Sequence, residues 1–252
     1  MIDIHCHLEF MENPEEVLKE AKGKMTAIIT SVADPKNAKK ILNLREKYKD
    51  FLFVSLGFHP ECLRDYEDGE IKKYIDLVKE KKNEICAIGE VGLDYSQECQ
   101  GIDKERMKKV FILFIDLAKE LNLPLLIHTR DAFNDALEIL KEKNAKDVVL
   151  HCFSGSEGNL KEAIKRGYFI SFATNVCYTK KHPRLAEKTP IEKMLLETDS
   201  PWLDPENPRG MTNKPWKISF SAKVISKIKG IPERKVLEII TKNTKEFFKL
   251  PF

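Results

Sequence analysis

Met1-Ile2-Asp3-Ile4-His5-Cys6-His7-Leu8 alternates polar with apolar side chains. A strand places every second side chain on one face. Extended, the stretch is expected to turn Asp3, His5 and His7 one way and Ile2, Ile4, Cys6 and Leu8 the other. Two imidazoles backed by a carboxylate suit a divalent cation, since His is the commonest metal ligand. A half-buried strand with its polar face in water is the alternative, and the rest of the chain has to choose between them.

Apolar, β-branched runs like this one recur along the chain at residues 2–8, 25–33, 52–59, 85–93, 125–130, 148–153, 168–174 and 194–199. Helical patterns separate them. Asn13-Pro14-Glu15-Glu16 supplies a cap, a Pro for the first helical position and acids for the first turn. Asp34-Pro35 repeats the device before a helix over 36–48. Further helices are expected over 70–80, 103–121, 132–143 (capped by Asp131), after Ser156 as far as Arg166-Gly167, over 219–229 and over 232–249. His182, in Lys180-Lys181-His182-Pro183, reads as part of a solvated loop, and residues 200–216 as an ordered Pro-rich loop. Eight strands alternating with helices predict a parallel sheet. The 252 residues allow about 31 per unit, near one βα repeat, so an α/β fold of the (β/α)8 TIM-barrel type spanning 1–252 as a single domain fits best. An open doubly wound sheet would carry a Gly-rich turn after its first strand, and His5-Cys6-His7-Leu8-Glu9 is not one.

Composition narrows the class. With 42% hydrophobic residues a full core can be buried, yet no apolar window reaches the roughly 18 residues of a membrane span. No secretory leader is visible, and a first strand starting at residue 2 leaves no room for one, so a cytoplasmic location is expected; the residues do not set the association state, for which a monomer is favoured. The 43 basic and 40 acidic residues leave a net charge of only +3, so attraction to a polyanion would rest on local cations such as Arg130, Arg209 and Lys214. Six cysteines without CxxC spacing read as small buried hydrophobes rather than a disulfide framework.

Barrel enzymes build their sites at the C-terminal ends of the strands. Five of the six histidines fall there: His5 and His7, His59, His128 and His151, joined by Glu90 and Asp199. Unpaired buried polar groups are costly, so so many at one rim point to a shared ligand. Neutral imidazoles with carboxylates make a nitrogen and oxygen site for Zn, Mn, Mg or Fe. Cys6 faces away from the histidines and Cys152 is out of phase with His151. Six ligands exceed one tetrahedral zinc and leave room for two divalent ions. A pair about 3.5–4 Å apart suits hydrolysis at phosphorus or carbon, activating water at near-neutral pH. Glu90, at the end of a middle strand, is the candidate bridge.

With these residues in place the chain resembles the TatD family of metal-dependent deoxyribonucleases, among the amidohydrolase-like barrels. The matching stretches are Asp3-Ile4-His5-Cys6-His7, Gly57-Phe58-His59-Pro60, Gly89-Glu90-Val91-Gly92-Leu93-Asp94-Tyr95, Pro124-Leu125-Leu126-Ile127-His128-Thr129-Arg130, His151-Cys152-Phe153-Ser154-Gly155 and Glu197-Thr198-Asp199-Ser200-Pro201-Trp202-Leu203. The resemblance implies cleavage of phosphodiester bonds in DNA, or another nucleic acid, by a 3′-to-5′ exonuclease using two divalent ions (Mg, Mn or Zn). It implies that His5, His7, Glu90 and Asp199 hold one ion and that Glu90, His128 and His151 hold the other. His59 and Arg130 would meet the phosphate, Asp199 would also orient or deprotonate water, and Asp3 would sit deeper and orient a ligating histidine. Downstream, where the family often shows Arg-Gly-Lys/Gln and then Asn-Glu-Pro, Arg209 and Asn213 match but Lys214 replaces the usual Glu, leaving the loop's substrate contacts open.

A hydrolase of small amides, lactones or nucleobase-type substrates on the same barrel is the competing enzyme class. Many such relatives bridge their metals with a carboxylated Lys on the fourth strand, where this chain has Glu90 in Ile88-Gly89-Glu90-Val91. A binding protein that kept the barrel without catalysis would show broken ligands, and none of the six is broken.

Overall fold

A computed structural model describes residues 1–252. Eight parallel strands follow one another around a single sheet: β1 (Ile2–Cys6), β2 (Ala27–Val32), β3 (Leu52–Phe58), β4 (Ala87–Asp94), β5 (Leu125–Arg130), β6 (Val148–Leu150), β7 (Phe169–Phe172) and β8 (Met194–Leu196). Residues just past the strands bring the two edges together. The Asp199 amide donates to the His5 carbonyl (3.0 Å) and the His7 amide to the Ser200 carbonyl (2.8 Å). The expected (β/α)8 barrel is therefore the observed one.

Helices α1 (Pro14–Lys22), α2 (Ala38–Lys47), α3 (Asp68–Glu80), α4 (Lys104–Leu121), α5 (Phe133–Glu142), α6 (Glu157–Lys165), α7 (Lys181–Lys188) and α8 (Ile218–Lys229) each follow a strand, and α9 (Glu233–Phe248) ends the chain. Local signals account for several boundaries. Asp103 accepts from the Glu105 amide at the start of α4, and Asn122 closes it in the left-handed conformation. Ser156 and Asn159 form a reciprocal capping box on α6.

Three expectations need correction. Lys180-Lys181-His182-Pro183 is not a solvated loop: it opens α7, and His182 is buried. The helix is only 8 residues long with a Pro inside it, so its apolar signal is brief. Asp131 does not cap α5; it adopts a positive φ of 54° and the helix starts two residues later without a side-chain cap. Third, the polar and apolar faces of residues 1–8 are not continuous. Ile2 and Ile4 join Ala27, Ile29, Leu126 and Leu195 in one core, while Cys6 and Leu8 join the larger core that includes the helices. The β1–β2 register slips between Asp3 and Cys6, and this bulge reverses the alternation.

The same irregularity recurs next to the site. Register shifts separate Leu56 from Phe58 and Ile88 from Val91. They require close backbone approach: a Cβ on Gly57 would collide with the Glu90 carbonyl, and one on Gly92 with the His128 carbonyl. The lower interior is plugged by apolar strand residues together with Phe247, Phe248 and Leu250 from the C-terminal end. Above it the interior turns polar. All six cysteines are free.

Candidate metal centre

Glu90, at the bulge of β4, lies between two pairs of histidines. Its Oε1 is 2.7 Å from His128 Nδ1 and 2.8 Å from His151 Nε2. Its Oε2 is 3.4 Å from His5 Nε2 and 3.5 Å from His7 Nε2. Asp199, one turn of chain past β8, brings Oδ1 to 3.6 and 3.5 Å from the same His5 and His7 nitrogens. All six predicted ligands thus converge at the C-terminal end of the barrel.

This donor set fits a cation. His5 Nε2 and His7 Nε2 are 3.0 Å apart, and His128 Nδ1 and His151 Nε2 are 3.2 Å apart. Each nitrogen pair can share only one proton, so lone pairs face one another with few hydrogens between them. Ligand atoms of His5, His7 and Glu90, of Glu90, His128 and His151, and of His5, His151 and Asp199 lie within 4.8 Å of one another in each group. Nitrogen and oxygen alone favour Zn, Mn, Mg or Fe over softer ions.

Each histidine is oriented from behind, as metal-ligating imidazoles are. Ser31 Oγ, itself 2.8 Å from Ser55 Oγ, is 2.9 Å from His5 Nδ1. Glu9 is 3.5 Å from His7 Nδ1 and is held by the Ala33 amide. Asp94 Oδ2 meets His128 Nε2 at 3.1 Å. Glu197 meets His151 Nδ1 at 3.3 Å and accepts from the Cys152 amide. Asp94 and Glu197 stood on the predicted rim without a role, although each is an even number of residues from Glu90 or Asp199, the spacing of a shared strand face. Asp3 departs from its expected part. It contacts no imidazole; it accepts from the His5 and Thr198 amides and from the Thr198 hydroxyl, tying β1 to the segment that carries Asp199.

Charge is distributed accordingly. Burial acts to raise the Glu90 carboxyl, but His151, His5, His59 and the His128 hydrogen bond outweigh it and hold it well below the usual carboxylate range. Burial likewise opposes ionisation of Asp199, yet the hydrogen bond from His7 and the charges of His5 and His151 keep it at about 2. Both carboxylates therefore stay ionised at neutral pH. Burial, reinforced by His128, pushes His59 down to about 3, so its ring is neutral.

The remaining predicted residues occupy different places. His59, just past β3, has Nε2 3.8 Å from Glu90 Oε1 and lines the central cavity of about 790 Å³. Arg130 lies on the cavity wall, exposed and paired with Glu98. Arg209 is exposed and Lys214 half-buried, and both lie outside the cavity lining. Asn213 is buried and donates to Thr174 Oγ1 and to the Thr198 and Trp202 carbonyls, which braces the loop after β8. His182 also lines the cavity; its ring contacts Asn175 and Thr179, and only folding of α7 reveals it there.

Comparison with known proteins follows the same lines. A family model described as TatD related DNase matches residues 2–249. An uncharacterized metal-dependent hydrolase of Methanocaldococcus jannaschii is 37% identical over 98% of this chain and 96% of its own. The human protein named deoxyribonuclease TATDN3 is 35% identical over 98% of this chain and 94% of its own. Among solved structures, a TatD homologue from Escherichia coli superposes with a TM-score of 0.91 at 27% identity, covering 100% of this chain and 98% of that one.

Proposed function

The chain belongs to the TatD-related DNase family, and we propose that it is a deoxyribonuclease that hydrolyses phosphodiester bonds of DNA from the 3′ end with two divalent metal ions. The observation that carries this reading is the division of labour in Glu90: one carboxylate oxygen faces His128 and His151, the other faces His5 and His7. In this reading His5, His7, Glu90 and Asp199 would hold one ion and Glu90, His128 and His151 the other. Bound there, the ions would supply Lewis acidity toward the phosphoryl oxygens and lower the pKa of water.

The protein residues do the rest. Asp199, ionised at neutral pH, orients the attacking water and accepts its proton at a carboxylate oxygen, while the P–O bond to the departing 3′-oxygen breaks and that oxygen takes a proton from solvent. His59, neutral and next to Glu90, donates a hydrogen bond to a phosphate oxygen without adding a charge that would repel cations. Arg130 can leave Glu98 for the phosphate, because an exposed ion pair is worth only about 0–1 kcal/mol. Asp94 and Glu197 keep the His128 and His151 rings aimed at the centre.

The test is to incubate the purified protein with 5′-labelled single-stranded DNA, duplex DNA or RNA and Mg, Mn or Zn. DNA should shorten progressively from its 3′ end only when a divalent ion is present, and a chelator should stop it. Absence of nucleic-acid cleavage together with turnover of a cyclic amide or lactone would replace this reading with the small-substrate one.

A further inference from the structure

The cavity has two unlike walls. On the β3–β5 side, Arg64 pairs with Glu61 and Arg130 with Glu98, so the surface is charged. On the side where β1 meets the β8 loop it is aromatic. Phe10 and Trp202 both line the cavity, with ring centroids 5.4 Å apart and planes inclined at 57°. Both stand beside a candidate metal ligand: the His7 ring is 5.9 Å from Phe10 and 5.2 Å from Trp202.

Core packing does not explain this arrangement. Phe10 is 43% exposed, although the preceding residues of its 3-10 turn, Leu8 and Glu9, are buried. Apolar area left in water forgoes about 25 cal/mol per Å². Trp202 is held from both sides of its backbone: its amide donates to the Asp199 carbonyl (3.1 Å) and its carbonyl accepts from Asn213 (2.7 Å). One ring is thus anchored to the segment that carries Asp199, and the other leans over it from the segment that carries His7. A flat ligand stacked on Trp202 would meet the Phe10 ring inclined against it, a favourable aromatic geometry.

We propose that Phe10 and Trp202 form a stacking platform for the nucleobase next to the cleaved phosphate. This deepens the nuclease reading and rests on it. Every base offers a π-face, so a platform of this kind accepts any sequence. In a duplex those faces are covered, and a base must first unstack and unpair. The charged opposite wall gives the sugar-phosphate backbone a polar side to follow, which keeps the strand's bases toward the aromatic side.

Single abasic residues placed in turn at the positions nearest the 3′ end of a labelled single strand provide the test. In the wild type one position should raise KM about tenfold, the size of one base–aromatic stack. Phe10→Ala should raise KM on the intact strand and lose most of that abasic penalty, and Trp202→Leu should do the same. Because Phe10 is exposed, its variant should fold, which a melting curve checks. A merely structural role would leave the abasic penalty intact. Cleavage by the wild type with no penalty at any position, or an undiminished penalty in Phe10→Ala, overturns the platform while the nuclease reading stands. No cleavage of any nucleic acid by the wild type overturns both.

Discussion

The lower and upper halves of the barrel interior are built from the same strands and differ in almost every physical respect. Below, Ile2, Ile4, Ile29, Phe53, Leu126, Val149 and Leu195 pack against Phe247, Phe248 and Leu250. Above, His5, Glu90, His128, His151 and Asp199 converge within a few ångströms. The lower half lowers the free energy of folding by removing apolar area from water. The upper half gathers buried polar groups, whose desolvation is costly unless partners offset it. The transition falls at the bulges of β1 and β4, the stretches that carry His5 and Glu90. Stability and chemistry are thereby separated along one strand, not between domains.

Substitutions on either side of that boundary should separate the two properties. Glu90→Gln should reduce metal-dependent cleavage by at least about 10³-fold, roughly 4 kcal/mol of barrier, while circular dichroism shows an intact barrel. Full activity in that variant would remove Glu90 from the chemistry. Leu126→Ala should act the other way. It should cost about 2–5 kcal/mol of unfolding free energy in denaturant titrations, with activity per folded molecule retained below the transition. Asp94→Asn keeps size but weakens the partner of His128, and should lower metal affinity or rate about 10–100-fold; calorimetric titration with Mn would read it.

The smallest effect belongs to His182, beside the upper half but outside the ligand set. Burial, aided by Lys181, holds its imidazole at about 4, below the usual 6.5. Between those values the unfolded chain binds the proton and the folded one does not. Stability from this residue is complete above pH 6.5 and fades as the pH falls toward 4. The wild type should lose about 1–2 kcal/mol more than His182→Gln across that range in melting experiments. Parallel pH profiles for the two proteins would contradict a buried neutral His182.

Much of this was open to reading along the chain because it depends on local periodicity. Strands of alternating or continuous apolar residues, Pro and Asp at helix starts, and polar residues clustered at one end of each strand are properties of short segments. They led to the barrel and to the six residues that converge at its upper end. Glu197 and Asp94 stood in the same stretches, but a role as hydrogen-bond partner depends on which ring nitrogen comes within 3.1–3.3 Å, and that is set by neighbouring strands. His182 was hidden for another reason: its helix is short and interrupted by Pro183, so local pattern could not place it against the cavity.

What residue order established was therefore the kind of chemistry: nitrogen and oxygen donors on strand ends of an eightfold repeat. Closure of the barrel established the arrangement. The bulge between Asp3 and Cys6 broke the alternation, turning Ile4 and the site-facing His5 into the same interior. The β1–β8 junction brought Asp199 to His5 and His7, nearly two hundred residues away in the chain. It also set Trp202 beside Phe10. Such distances follow from strand tilt, register slips and the meeting of first and last strands, which are collective properties of the folded barrel and leave no mark on any single stretch of sequence.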